Sequence, residues 1–149
     1  MEITKYKRDS RSPVPKDEKV SKVMSANKAK DTKPELLLRK ALWDNNLKGY
    51  RLHKKELPGK PDISFMKEKV AIFVNGCYWH RCPYCDLSMP KTNAEFWQNK
   101  FSANQERDKK KSQLLVESGW IVLVIWECQI KQGLQVLVSK ISDLLIKSR

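Results

Sequence analysis

The stretch PDISFMKEKVAIFVNGCYWHRCPYC, residues 61–85, decides the fold and holds most of the chemistry. PDISF (61–65) and VAIFV (70–74) are short runs rich in β-branched and aromatic residues, joined by MKEK, a length that suits a β-hairpin. Pro61, at the first residue of its strand, costs no ladder hydrogen bond there. The second strand then runs straight into Cys77, Cys82 and Cys85, with Tyr78, Trp79 and the second of two histidines, His80, between them. The spacing is C-x4-C-x2-C, and the fourth cysteine, Cys128, stands far down the chain.

The flanks fill in the fold. Upstream, DTKPELLLRKALWDNNLKG (31–49) has helix punctuation: Thr32 as N-cap, Pro34 in the first turn, Glu35 closing a Thr-x-x-Glu capping box, and Gly49 near the end. Leu37, Leu38, Ala41, Leu42 and Trp43 are expected to form its buried face. YRLH (50–53) is a short strand. Downstream, residues 92–119 form a long helix, opened by Thr92-x-x-Glu95 and stopped by Gly119. WIVLVIWE (120–127) is uniformly apolar and predicts a central strand buried on both faces. LQVLVSKISDLLIKSR closes the chain as an amphipathic helix. The order α-β-β-β-α-β-α defines an α/β protein with a mixed β-sheet flanked by helices. Residues 1–20 are polar, charged and proline-containing and are expected to be a flexible basic tail, followed by one domain over 21–149.

Composition narrows the function. A hydrophobic fraction of 40% and five tryptophans in 149 residues argue against a disordered chain. Thirty Lys and Arg against 17 Asp and Glu give a net charge of +13, which favours an anionic partner, most commonly nucleic acid. The excess is concentrated in blocks such as RDKKK (107–111). No segment has the roughly eighteen apolar residues needed to span a membrane, so no membrane partner is expected. The N-terminal charges are backed by no apolar core, so this is not read as a secretory signal and a cytoplasmic location is expected. In a reducing compartment, four cysteines favour metal binding over disulfides.

Cys77, Cys82, Cys85 and Cys128 suit a tetrahedral structural zinc site; four buried or free thiols are the alternative. Thiolate ligation would leave His80 over, available as an acid or base beside Tyr78 and Trp79. Those two rings could wedge between base pairs or simply pack into the core. Asp62 could hold Mg2+ against a phosphodiester, or belong to an ordinary Pro-Asp turn. Trp97, Phe101, Asn104 and Asp108 share one helix face that would run from core to cleft, although Asn104 and Asp108 could equally face solvent. His53 is read as structural or exposed.

Taken together, ELPGKPDISF, VAIFVNGCYWHRCPYC, PKTNAEFWQNK, NQERD and GWIVLVIWEC, in this order, resemble the very short patch repair (Vsr-type) DNA mismatch endonucleases over roughly residues 22–130. The resemblance implies a fold related to the PD-(D/E)xK restriction endonucleases, with a structural zinc site. It implies nicking of one DNA strand 5′ to the thymine of a T:G mismatch left by 5-methylcytosine deamination. Asp62 resembles the family's metal-binding aspartate, His80 its catalytic histidine, and Glu35 and Asp108 the acids near its active site. Cys77, Cys82, Cys85 and Cys128 fall on the zinc positions. Tyr78 and Trp79 match the aromatic pair inserted beside the mismatch, and Met24 a wedge from the N-terminal side; Trp97 and Asn104 belong with these as DNA-binding candidates. The main-chain carbonyl of Val74 would join Asp62 on Mg2+, in place of the second acid and lysine of the restriction-enzyme motif.

The chain departs from the family where Cys82 replaces a histidine found in some members, where the Cys82–Cys85 segment is one residue longer, and where Asn75 replaces a second histidine. An amide at Asn75 cannot transfer protons at neutral pH. The implied partners are mismatched duplex DNA and mismatch-repair proteins, and the enzyme is expected to act as a monomer, associated with the nucleoid when bound. Two other readings compete: a related nicking nuclease with another mismatch or site preference, and a zinc-stapled DNA-binding module without activity.

Overall fold

A computed structural model describes residues 30–148, and the chain from Lys33 onward forms one compact unit. The tail at 1–20 and Met24 lie outside the described residues. Helix α1 (Lys33–Asp44) leads into strand β1 (Arg51–Leu52), which pairs antiparallel with β2 (Ile63–Phe65). β2 returns through a tight turn into β3 (Val70–Asn75), with Ile63 opposite Ile72 and Phe65 opposite Val70. A short helix, α2 (Cys77–His80), and a long one, α3 (Ala94–Glu117), carry the chain across to β4 (Ile121–Trp126). β4 runs parallel to β3 with Val74 opposite Ile125. Helix α4 (Glu127–Lys147) ends the fold.

The alternation of each strand sorts its side chains between two faces. Ile63, Phe65, Val70, Ile72, Val74 and Ile125 point to one face, where they close a core with Leu38 and Leu42 of α1 and Ile130, Leu137, Val138, Ile141 and Leu145 of α4. On the other side of the sheet α3 packs along β4. There Gly59, with φ of +79°, lies so close to Phe73 and Lys111 that an added Cβ would come within 3.1 Å of both. The loop before β2 is thereby pressed between strand and helix, and Asp62 is delivered to a fixed place.

Several expectations are corrected. WIVLVIWE is not a central strand: the sheet order is β1-β2-β3-β4, so β4 is an edge. Ile121 is 40% exposed, and of the six residues only Ile125 is buried. A run of apolar residues reports how much surface can be buried, not how many strand neighbours are available to bury it. In α1 the buried positions are Glu35, Leu38 and Leu42, while Leu37 and Trp43 are exposed, with Lys48 lying over the Trp43 ring. Thr92 does not cap α3; Asn93 is the N-cap, in the left-handed region, and makes no side-chain cap bond. The last helix starts earlier than expected, with Gln129 Oε1 accepting a 2.9 Å bond from the Trp126 amide, and it kinks at Gly133. The stop at Gly119 holds, with φ of +89°.

Candidate active site and cysteine cluster

The segment after β3, expected as a loop, is one helical turn. Gly76 is extended, the His80 amide donates to the Gly76 carbonyl, and Arg81 ends the turn with φ of +55°. The Cys82 amide donates back to the Cys77 carbonyl at 2.9 Å, which folds the two cysteines together. Cys128, in the first turn of α4, reaches the same point because β4 lies beside β3. The four Sγ atoms of Cys77, Cys82, Cys85 and Cys128 all lie within 4.8 Å of one another, and no pair is joined in a disulfide.

This cluster could hold a metal ion. Tetrahedral zinc–thiolate bonds of about 2.3 Å place neighbouring sulfurs about 3.8 Å apart, and Cys82 Sγ and Cys128 Sγ are separated by 3.8 Å. Two main-chain amides already point at the sulfurs: Cys128 N–H at Cys77 Sγ (3.3 Å) and Tyr84 N–H at Cys82 Sγ (3.4 Å). Such bonds favour thiolate over thiol. Burial nevertheless pushes the Cys77 thiol up to about 12, and the neighbouring Cys128 thiol raises Cys85. At Cys82 burial also opposes ionisation, but the Tyr84 amide and the three surrounding thiols outweigh it and lower the pKa.

At the other end of the same turn lies a cluster of carboxylates and imidazoles. Asp62 accepts a 2.7 Å bond from the Val74 amide through Oδ2. Glu35, only 1% exposed, accepts from Arg39 one turn further along α1 and from His53 Nε2 at 3.0 Å. His53 Nε2 is also 4.0 Å from Asp62 Oδ1. Burial raises the Asp62 carboxyl to about 7; the Val74 amide opposes this, and the charge and hydrogen bonding of Glu35 add to it. His80, whose positive form would favour ionised Asp62, stands on the far side and bonds through Nδ1 to Asp108 Oδ2 at 2.7 Å. Asp108 comes from α3, so this bond ties the helix to the turn.

The aromatic residues form a slab between the two clusters. Tyr78 packs edge-on against Trp79 and Phe101, and Trp79 tilts over Trp97. Tyr78 and Trp79 are half-buried, whereas Trp97 and Phe101 are buried and form the floor beneath them. The Arg81 guanidinium covers the Phe101 ring at 4.6 Å and donates to the carbonyls of Leu87 and Ser88, holding the following loop down. Asn104, half-buried like Asp108, continues the same helix face.

The family model for the DNA mismatch endonuclease Vsr matches residues 13–86. The DNA mismatch endonuclease Vsr of Escherichia coli is 37% identical over 111 residues, covering 74% of this chain and 70% of that protein. The chain belongs to the Vsr family of DNA mismatch endonucleases. Its relatives include enzymes described as type II nicking enzymes. V.XorIIP of Xanthomonas oryzae is 37% identical over 108 residues, covering 72% of this chain and 79% of that enzyme. V.NaeI of Lentzea aerocolonigenes is 40% identical over 140 residues, covering 89% of this chain and 80% of that enzyme. As a Vsr-family member the chain is a DNA endonuclease, a hydrolase of phosphodiester bonds. Among the described residues, no helix is long and apolar enough to cross a membrane.

In this Vsr-family chain the fold brings Glu35, Asp62, Val74, His80 and Asp108 to one locality, from α1, the β2 approach, β3, α2 and α3. Glu35, expected as a capping acid, turns out to be a buried partner of His53. His53 itself, read as structural or exposed, was the residue that sequence reasoning missed. A signal for it existed: an antiparallel β1–β2 pair with Leu52 opposite Ile63 puts His53 opposite Asp62, and the His53 amide does donate to the Asp62 carbonyl at 3.2 Å. Arg39 and Arg81 were also missed, and nothing in their local sequence marks them.

Proposed function

We propose that this Vsr-family enzyme nicks one strand of duplex DNA 5′ to the thymine of a T:G mismatch, with Mg2+ at the carboxylates and zinc at the cysteines. The observation that carries the reading is the His80–Asp108 pair, 2.7 Å apart, in which His80 sits on the same four-residue helix as Tyr78 and Trp79, close to Asp62. Recognition and hydrolysis then depend on one rigid turn.

Asp108 accepts from His80 Nδ1, which fixes the tautomer and leaves Nε2 to remove a proton from the attacking water. The resulting imidazolium is stabilised by the Asp108 carboxylate. As the P–O bond breaks, the departing 3′ oxygen takes a proton from a solvent water, and Nε2 returns its own proton to solvent. A correctly placed base of this kind contributes on the order of a hundredfold or more in rate.

The donor sets fit both metals. Asp62 and Glu35 are hard oxygen donors; burial first, and the neighbouring Glu35 after it, raise the Asp62 carboxyl, and a cation bound there would favour its ionised form. The Val74 main chain is held against Asp62 by its own amide, in keeping with a carbonyl contribution from that residue. When bound there, Mg2+ would offset charge on the scissile phosphate and on the departing oxygen. The four thiolates would close the zinc shell and give the ion a bracing role only. Such a centre, with a sheet and two helix faces around it, also suits the proposed relation to the PD-(D/E)xK nucleases.

Tyr78 and Trp79, backed by Trp97 and Phe101, would insert beside the mispair, and Asn104 and the lysines at 109–111 would meet the backbone. Unstacking costs about a few kcal/mol and less at a mispaired site, which favours mismatched over paired DNA. The enzyme would act as a monomer in the cytoplasm, at the nucleoid, upstream of repair proteins that refill the nick.

The test is nicking of end-labelled duplexes carrying T:G, other mismatches or fully paired DNA, in several flanking contexts, with Mg2+. Preferred nicking 5′ to the mispaired thymine is expected. Equal cutting of paired DNA, or no cutting at T:G in any context, refutes the proposed specificity.

A further inference from the structure

His53 has no role in the mechanism just described, yet its ring faces both carboxylates on which that mechanism depends. Its Nε2 is 3.0 Å from Glu35 Oε2 and 4.0 Å from Asp62 Oδ1. In the tautomer that carries its hydrogen on Nε2, the ring donates to Glu35 across the 3.0 Å contact. The main chain repeats the connection, because the His53 amide donates to the Asp62 carbonyl at 3.2 Å. The backbones that carry ring and carboxylate are therefore tied to each other.

The backbone at His53 adds a second, independent observation. Its φ is +48°, a left-handed conformation that few non-glycine residues adopt and that is retained where the surroundings impose it. β1 ends at Leu52, and this turn of the backbone is what takes the imidazole out of the strand's alternation and directs it at Glu35. Glu35 Oε2 also accepts from Arg39, so one carboxylate oxygen is held both from α1 and from the turn that follows β1.

We propose that His53 is a positioning residue for the carboxylate site, which sets the orientation of Glu35 toward Asp62 and so completes the pair that receives the divalent cation. This rests on the Mg2+ site of the proposed function and deepens it. Glu35 and Asp62 lie within hydrogen-bonding reach of each other and repel when both are ionised; a donor that faces both offsets that repulsion and keeps them on the same small volume. Without it Glu35 would still be held by Arg39, but no longer aimed at Asp62.

The experiment compares wild type, His53→Gln and His53→Ala, each zinc-loaded. Two readouts are taken: Mg2+ titration followed by the rise in thermal unfolding midpoint, and single-turnover nicking of the best duplex. The amide of Gln supplies an N–H donor in place of Nε2. His53→Ala is expected to need about tenfold more Mg2+ for half its effect and to nick about 10- to 100-fold more slowly, with DNA affinity within about twofold. His53→Gln is expected to recover most of both. An Ala variant that matches wild type in Mg2+ response and rate overturns the proposal. So does an Ala variant whose midpoint and rate both fall and are not rescued by Gln, since that assigns His53 to structure alone. If wild type nicks nothing, the proposed function fails by itself, while the Mg2+-dependent midpoints still decide the role of His53: loss of the response in Ala supports it, and an unchanged response refutes it.

Discussion

Replacing Asp62 by Asn separates the cost of building this site from its use. Asp62 is enclosed beside Glu35, and its carboxyl is raised from 3.8 to about 7, chiefly by burial. A folded-state pKa above the unfolded value means that the folded protein holds a proton which the unfolded chain releases. Stability therefore falls as pH rises from about 4, and the loss is complete near pH 7. A shift of about 3 units corresponds to about 4 kcal/mol, and the part falling between pH 5.5 and 8 to about 2 kcal/mol. Asn keeps an oxygen for the Val74 amide and can turn its NH2 toward Glu35, so Asp62→Asn removes the titration and retains the contacts. With no added divalent cation, urea unfolding should find the variant gaining on wild type by about 2 kcal/mol as pH rises from 5.5 to 8. Saturating Mg2+ should reverse the ranking: at 100 times its Kd a cation stabilises by about 2.7 kcal/mol, and only wild type has the site. Nicking by the variant should fall by about 10²-fold or more. A stability difference that stays flat across this pH range would refute the idea that Asp62 is held in place against its own charge.

Three further outcomes follow from other parts of the structure. Asp108→Asn should lower the nicking rate by about 10²-fold with DNA binding unchanged, because His80 loses the carboxylate that favours its protonated form; single-turnover kinetics and a gel-shift assay separate the two. Cys128→Ser should release bound zinc and lower the unfolding midpoint, since it removes the ligand that ties α4 to the turn after β3; zinc content by atomic absorption, together with the midpoint, checks this. Gly59→Ala should destabilise by about 1–3 kcal/mol, because its Cβ would meet Phe73 and Lys111 at 3.1 Å from a backbone with φ of +79°, and chemical denaturation reads it directly.

The sequence by itself determined the order of the elements apart from the short helix α2, the hairpin over 61–74 and the grouping of Cys77, Cys82 and Cys85, since periodicity, turn chemistry and short spacings are local properties. It also singled out Asp62, His80 and Asp108, because carboxylates and imidazoles at the edges of apolar segments are chemically conspicuous. Only the tertiary structure decided which of these meet. WIVLVIWE is an edge strand because its one strand neighbour is β3, a fact of sheet order that hydropathy does not encode. Glu35 looked sufficiently explained as a helix cap until the fold set it against His53 and Arg39. Cys128 reaches the other three thiols because β3 and β4 run parallel and end side by side. His53 became visible as part of the site only when the β1–β2 register placed it across from Asp62: long-range pairing selects partners that no local pattern names.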